Sequence, residues 1–188
     1  MIILMDTLKY LAKKYNLNLS ARLPLELPNV GRDDLAKLFA ELGFTKGAEV
    51  GTWTGAYTTQ LCKANNKLKL IGIDLNSKTP KKAVPSNCKL VKMTSLDAAK
   101  RVVDGSLDFV YLDGDTDLTS TISNLTAWSK KVRVGGIVAG HDFYRFRPKS
   151  GLHTREAVLV YIGTYRIAPW FVTSLTKERV RSWFWVKA

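Results

Sequence analysis

The chain is poor in the features that mark secreted, membrane and metal-knuckle proteins. Only two cysteines, Cys62 and Cys88, occur in 188 residues. Two are too few for a disulfide framework, and they lack metal-knuckle spacing, so both read as core thiols of a reducing cytoplasm. No apolar run approaches membrane-spanning length, and Met1-Ile2-Ile3-Leu4-Met5 meets Asp6 too soon to be a secretory leader core. The chain is therefore expected to be cytoplasmic, with no membrane partner. Internal repeats and low-complexity tracts are absent. So is the G-x-G-x-x-G loop, which argues against a nicotinamide dehydrogenase.

Acids are scarce too, 16 Asp and Glu against 29 Lys and Arg, for a net charge of +13. The excess is concentrated in Lys78–Lys92, with Lys78, Lys81, Lys82, Lys89 and Lys92 and no acid, and in Arg145–Ala188. Such surfaces can neutralise phosphates, so nucleic acid is a candidate partner. It is the lesser candidate, because no nucleic-acid module signature or run of stacking aromatics accompanies the charges.

With 46% hydrophobic and 24% charged residues, the chain can bury the core of one globular domain. Leu8, Leu11, Ala12 and Tyr15 share one face of a short amphipathic helix over Asp6–Tyr15. Leu17–Val30 holds Pro24 and Pro28 and reads as a loop or arm, free to border the site or to cover a neighbouring subunit in a homo-oligomer. A helix starting at Asp33 or Asp34 ends at Gly43. Strands are expected at Ala48–Val50, Lys69–Ile73, Lys89–Met93, Leu107–Leu112 and Ile137–Gly140. Helices lie between them, one continuing through Val102 and Val103, another over Leu118–Lys131 with Ile122, Leu125, Thr126 and Trp128 inward. Trp170–Thr173 and Ser182–Val186 form a closing hairpin. Trp183 and Trp185 share a face there, as core or as an aromatic platform. Alternating strands and helices predict an α/β fold with a doubly wound, mostly parallel seven-stranded sheet.

In such sheets ligands sit beyond the carboxyl ends of the strands, where strand order reverses. Ala48-Glu49-Val50-Gly51-Thr52-Trp53-Thr54-Gly55 has the form of a strand entering a tight turn before a helix, although two glycines four apart also suit an ordinary turn. Asp74 ends the next strand about 20 residues on, where nucleotide-binding domains place an acid on ribose hydroxyls. Asp113-Gly114-Asp115 ends the strand Leu107–Leu112, and His141-Asp142 ends the following one. The strand ends at Gly51, Asp74 and Asp113 thus converge on one cleft. Asp113 and Asp142 can share Mg²⁺ through oxygen ligands, or with His141 can take a proton from an oxygen nucleophile; a structural hydrogen bond or cap explains His141 and Asp142 equally well.

The segments AEVGTWTGAYTTQL, LIGIDLN, LDFVYLDGDTDLTSTISNLTAWSKKVRVGGIVAGHDF and RSWFWVK resemble class I S-adenosylmethionine-dependent methyltransferases, in particular a small bacterial and phage group. The resemblance runs from about Asp33 to the C-terminus, making 33–188 the methyltransferase domain and 1–32 an N-terminal helix and arm. It implies a methionine-moiety loop at Glu49, Gly51, Trp53 and Gly55. Asp74 and Leu75 fall on the ribose side, and Thr94, Ser95 and Leu96 beside the adenine, although capping would explain Ser95 as well. Asp113 is shared between cofactor and catalysis. It further implies methyl transfer to an oxygen of a small-molecule or sugar-like acceptor. Two departures stand out. Relatives usually carry a histidine where this chain has Thr116, and the metal-dependent ones carry a carboxylate or amide where it has His141 and Phe143. The rival readings are a cofactor-binding module without catalysis and a nucleic-acid-modifying protein.

Overall fold

Strand β5 (Leu107–Leu112) shows why the chain folds in layers. Its side chains alternate between two cores, Phe109 and Tyr111 toward one face and Val110 and Leu112 toward the other. A strand apolar on both faces must be covered on both. The structure, a computed structural model describing residues 6–80, 83–144 and 151–188, supplies both covers. Met1–Met5, the lysines Lys81 and Lys82 of the first basic stretch, and residues 145–150 at the start of the second fall outside the described residues.

On one face lie α1 (Thr7–Tyr15), α2 (Arg32–Glu41) and α3 (Ala56–Ala64), which contribute Leu11, Leu35, Phe39 and Leu61 to the first core. Helices α4 (Ser95–Lys100), α5 (Leu118–Ser129) and α6 (Thr154–Tyr165) cover the other face, with Ala98, Trp128 and Val158 in the second core. Between them, β1 (Leu25–Glu26), β2 (Lys46–Val50), β3 (Lys69–Ile73), β4 (Cys88–Val91), β5, β6 (Val132–Phe143), β7 (Trp170–Val172) and β8 (Arg181–Val186) form one sheet. Its order is β1-β7-β8-β6-β5-β2-β3-β4. All neighbours are parallel except β6–β8 and β7–β8. The doubly wound, mostly parallel sheet with a C-terminal antiparallel hairpin is as the sequence predicts. The chain runs outward from β2 through β3 to β4, then returns to the other side of β2 as β5, which puts the switch point between β2 and β5.

Three local expectations are corrected. The sheet has an eighth strand: Leu25–Glu26, expected as arm, pairs with Phe171–Val172, a two-residue pairing too short to leave a periodic signal. Helix α4 stops at Lys100, leaving Val103 in a loop and 74% exposed. On α5, Thr126 faces solvent, while Thr121 and Asn124 are buried. Of the two readings of Trp183 and Trp185, core is the one observed, for both are buried and stacked at 5.4 Å between centroids. Among the described residues no helix is long and apolar enough to cross a membrane.

Candidate active site

The β2–α3 turn brings two strand ends into contact. Gly51 has φ +91, and a Cβ on it would meet the Asp113 carbonyl oxygen at 2.2 Å, so no other residue fits without moving β5. The Gly51 N–H donates to Ile73 O at 2.8 Å, and the Asp113 N–H donates to Val50 O at 2.8 Å. Gly55, φ +78, begins α3 with its Cα against the Thr79 side chain.

Between the two glycines, Trp53 takes φ +42, a left-handed conformation that an aromatic residue rarely adopts. It is held there from both sides. Its N–H donates to Asp74 Oδ2 at 2.6 Å, and its carbonyl accepts from Lys78 N at 2.7 Å and Thr79 Oγ1 at 3.1 Å. Asp74 Oδ1 accepts from Asn76 N at 2.7 Å. Each Asp74 oxygen thus uses one lone pair on the loop and keeps one for a ligand hydroxyl.

Deeper in the cleft Glu49 is buried, with Thr58 Oγ1 donating to its Oε2 at 2.5 Å. Burial strips water from the carboxylate and pushes its pKa up to about 8, against the opposing pull of the Thr58 hydrogen bond and of Arg32. Arg32, in the first turn of α2, donates to Asp113 Oδ2 at 2.5 Å, and its guanidinium lies 4.2 Å from the Tyr57 ring centroid. The Tyr57 hydroxyl donates to the Arg32 carbonyl at 3.1 Å. The Asp113 carboxyl is nevertheless raised above its ordinary value, because desolvation exceeds the help from Arg32 and His141.

These groups line a cavity of about 740 Å³. Of the residues singled out in the sequence, Glu49, Gly51, Trp53, Asp74, Leu75, Thr94, Ser95 and Asp113 line it. Gly55 stands one residue back from the lining, at the start of α3, and Leu96 is exposed outside it. The capping role falls to Thr94, whose Oγ1 accepts from Asp97 N at 3.2 Å. Ser95 instead joins α4 to α5, donating to Asn124 Oδ1 at 2.6 Å and accepting from Trp128 Nε1 at 2.8 Å.

His141 and Asp142 stand beside the cavity, joined to it through Asp113. His141 Nδ1 is 3.6 Å from Asp113 Oδ1 and 3.4 Å from Asp142 Oδ1, and one ligand atom from each of the three residues falls within 4.8 Å of the others. This donor set does not fit Mg²⁺, which asks for near-octahedral oxygen ligation. One of its three donors is an imidazole, and one of its two carboxylates is already neutralised by Arg32. The chain's other histidine, His153, meets Thr116 through the backbone, its N–H donating to Thr116 O at 2.7 Å.

Arg32 and Tyr57 also line the cavity, and neither was singled out as a site residue from the sequence. A weak signal existed, since a cation in the first turn of a helix opposes the helix dipole and so invites another employment.

A family model described as a methyltransferase domain matches residues 48–143, from β2 to the end of β6. No curated protein matches the chain. Solved structures do. A cofactor-bound protein from MTB aligns with TM-score 0.69 at 14% identity, over 96% of this chain and 89% of that one. An O-methyltransferase from Bacillus cereus in complex with SAH aligns with TM-score 0.63 at 14% identity, over 98% and 90%. An O-methyltransferase from Streptomyces achromogenes involved in tomaymycin synthesis, in complex with SAM, aligns with TM-score 0.62 at 15% identity, over 98% and 90%. At such identities the likeness establishes the shared fold.

Proposed function

The chain belongs to the methyltransferase domain family, and on that premise we propose that it binds S-adenosylmethionine in the 740 Å³ cavity and transfers the methyl group to an oxygen of a small-molecule acceptor. The observation that carries the reading is the convergence of Glu49, Gly51, Asp74 and Asp113, from the ends of three adjacent strands, on that one cavity. The cofactor and acceptor classes take further support from the O-methyltransferases of like fold in complex with SAM or SAH. A cytoplasmic location belongs to the same reading and rests on the two free thiols.

Bound S-adenosylmethionine supplies a methyl group made electrophilic by its sulfonium. Asp74 would take the ribose hydroxyls on its two remaining lone pairs, and Glu49 the amino-acid ammonium. Trp53 and Leu75, both exposed at the cavity mouth, would close over the nucleoside with Thr94 and Ser95. At the other end, Asp113 with His141 and Asp142 would receive the acceptor proton. Arg32 fixes the Asp113 carboxylate, so that aligning the acceptor does not require a metal there.

The reading is tested by calorimetric titration of S-adenosylmethionine and S-adenosylhomocysteine, followed by mass spectrometry of products from a panel of phenols, catechols and sugars. Micromolar binding of both and a mass gain of one methyl on a hydroxyl acceptor are expected. A folded protein that binds neither would overturn the proposal, and binding without any turnover would favour the non-catalytic module.

Glu49 gives a second prediction. With a folded pKa of about 8, it is protonated at pH 7 in the free protein, and a cation beside it drives the proton off. Titrations in two buffers of different ionisation heat should show release approaching one proton at pH 7, fading above pH 8 and absent in Glu49→Gln. The sign for stability follows. The folded state holds more protons than the unfolded chain between the unfolded value of 4.5 and about 8, so the ligand-free Tm should fall as pH rises through that window. Glu49→Gln should flatten that slope, and an unchanged slope would show that Glu49 does not titrate there.

A further inference from the structure

At the opposite end of the strands from the cofactor cleft lies a second cavity, of about 580 Å³, between β2, β3, β4 and the loop after α4. We propose that it is a docking site for single-stranded nucleic acid, separate from the methyl-transfer site. Its cause is the shortness of α4. That helix ends at Lys100, so the first residues of the neighbouring strands have no helix over them. The floor left open is apolar, with Ile71, Val102, Val103 and Leu107.

The rim is made of cations. Lys46 and Lys69 are direct cross-strand partners, and Lys89 is registered opposite Ile71, two residues along β3 from Lys69. The period of two puts all three lysines on one face, and Arg101 closes the ring from the α4 side. Among the described residues no acid lines the cavity. Of the acids near it in sequence, Asp97 pairs with Lys100 and Asp104 with Lys131; Asp108 borders the rim, its Oδ2 accepting from the Thr45 and Lys46 N–H groups at 2.7 and 2.9 Å, and its charge is matched by Arg133. Like charges directly opposite on neighbouring strands destabilise a sheet, and an anion laid across them removes that cost.

The arrangement selects the ligand chemistry. With strands about 4.8 Å apart, the row from β2 to β4 spans about 10 Å, more than one phosphate group occupies and suited to successive phosphates of a chain. The floor beneath is aliphatic, with no aromatic side chain among its lining residues, so it can cover a base face by apolar contact alone, which distinguishes little between bases. The net charge of +13 draws a polyanion from a distance. Lys46 stands five residues before Gly51, roughly 17 Å from the cleft at about 3.3 Å per residue. A strand held here is therefore anchored rather than methylated at this point.

The test is fluorescence anisotropy of a labelled 15-nucleotide oligothymidylate with the full chain, from 50 to 200 mM KCl. The wild type should bind in the micromolar range at 50 mM. K46Q/K69Q/K89Q should weaken binding tenfold or more, and its slope of log affinity against log salt should be shallower by about 2, at about 0.7 for each phosphate no longer neutralised. A charge-matched K9Q/K13Q/K63Q variant, with exposed lysines of α1 and α3, should stay within threefold of wild type. Absence of wild-type binding, or equal weakening in the two variants, would overturn the proposal. So would displacement of the strand by thymidine monophosphate at equal nucleotide concentration, or by phosphatidylserine vesicles whose binding is abolished with the same three lysines.

Discussion

Asp74→Ala should weaken S-adenosylmethionine binding by about two to four orders of magnitude. A hydrogen bond to a charged acceptor is worth about 1.5–3 kcal/mol, and two ribose hydroxyls on one carboxylate bring the loss to about 3–5 kcal/mol. The same substitution frees the Trp53 and Asn76 N–H groups that Asp74 now accepts, so the left-handed turn at Trp53 loses one of its two anchors. Asp74→Asn keeps one acceptor oxygen and should fall between, at about tenfold. The fold should survive both changes, because Asp74 is partly exposed at a strand end, with a stability loss of about 1 kcal/mol. Calorimetric titration of the two variants beside a thermal melt separates binding from folding. Cofactor affinity within threefold of wild type in the alanine variant would remove Asp74 from the site.

The second large effect belongs to Arg32. Arg32→Met keeps the aliphatic length but leaves Asp113 as a charge with 16% of its side chain exposed and only the His141 imidazole, 3.6 Å away, beside it. Breaking one partner of a buried pair costs about 3–5 kcal/mol. The Arg32 side chain retains 26% exposure, and discounting for solvent screening leaves about 2–3 kcal/mol, or a fall of about 5–10 °C in Tm for a chain of this size. Removing both charges together in R32M/D113N should recover a good part of that loss, since the cost lies in the orphaned carboxylate rather than in the missing bond. Cofactor binding should fall more than tenfold in the single variant. Unchanged stability in Arg32→Met would show that the pair is not formed in solution.

Much of the architecture was legible without coordinates. Lys69–Ile73 and Leu107–Leu112 are strands at the bounds read from their apolar runs, and the helix read from Asp33 or Asp34 to Gly43 is observed over Arg32–Glu41. These signals are local, since period, length and flanking turn residues all lie within a dozen positions. What escaped has partners far away in sequence. Strand β1 exists because Leu25–Glu26 meets Phe171–Val172. Asn124 is buried because Ser95 and Asp115 need its amide. Thr126 satisfies its hydroxyl on the Ile122 carbonyl of its own helix and needs no place in the core.

The candidate site divides in the same way. The sequence by itself determined which strand ends carry acids and glycines, because a turn needing positive φ and a carboxylate closing a strand are written in neighbouring residues. It also determined the excess of positive charge. Only the tertiary structure decided that Arg32 reaches Asp113 across 81 positions, that burial makes Glu49 a weak acid, and that a short α4 leaves three lysines of separate strands over an apolar floor. Each of those depends on desolvation or on pairing between distant segments, and both come into being only when the chain has folded.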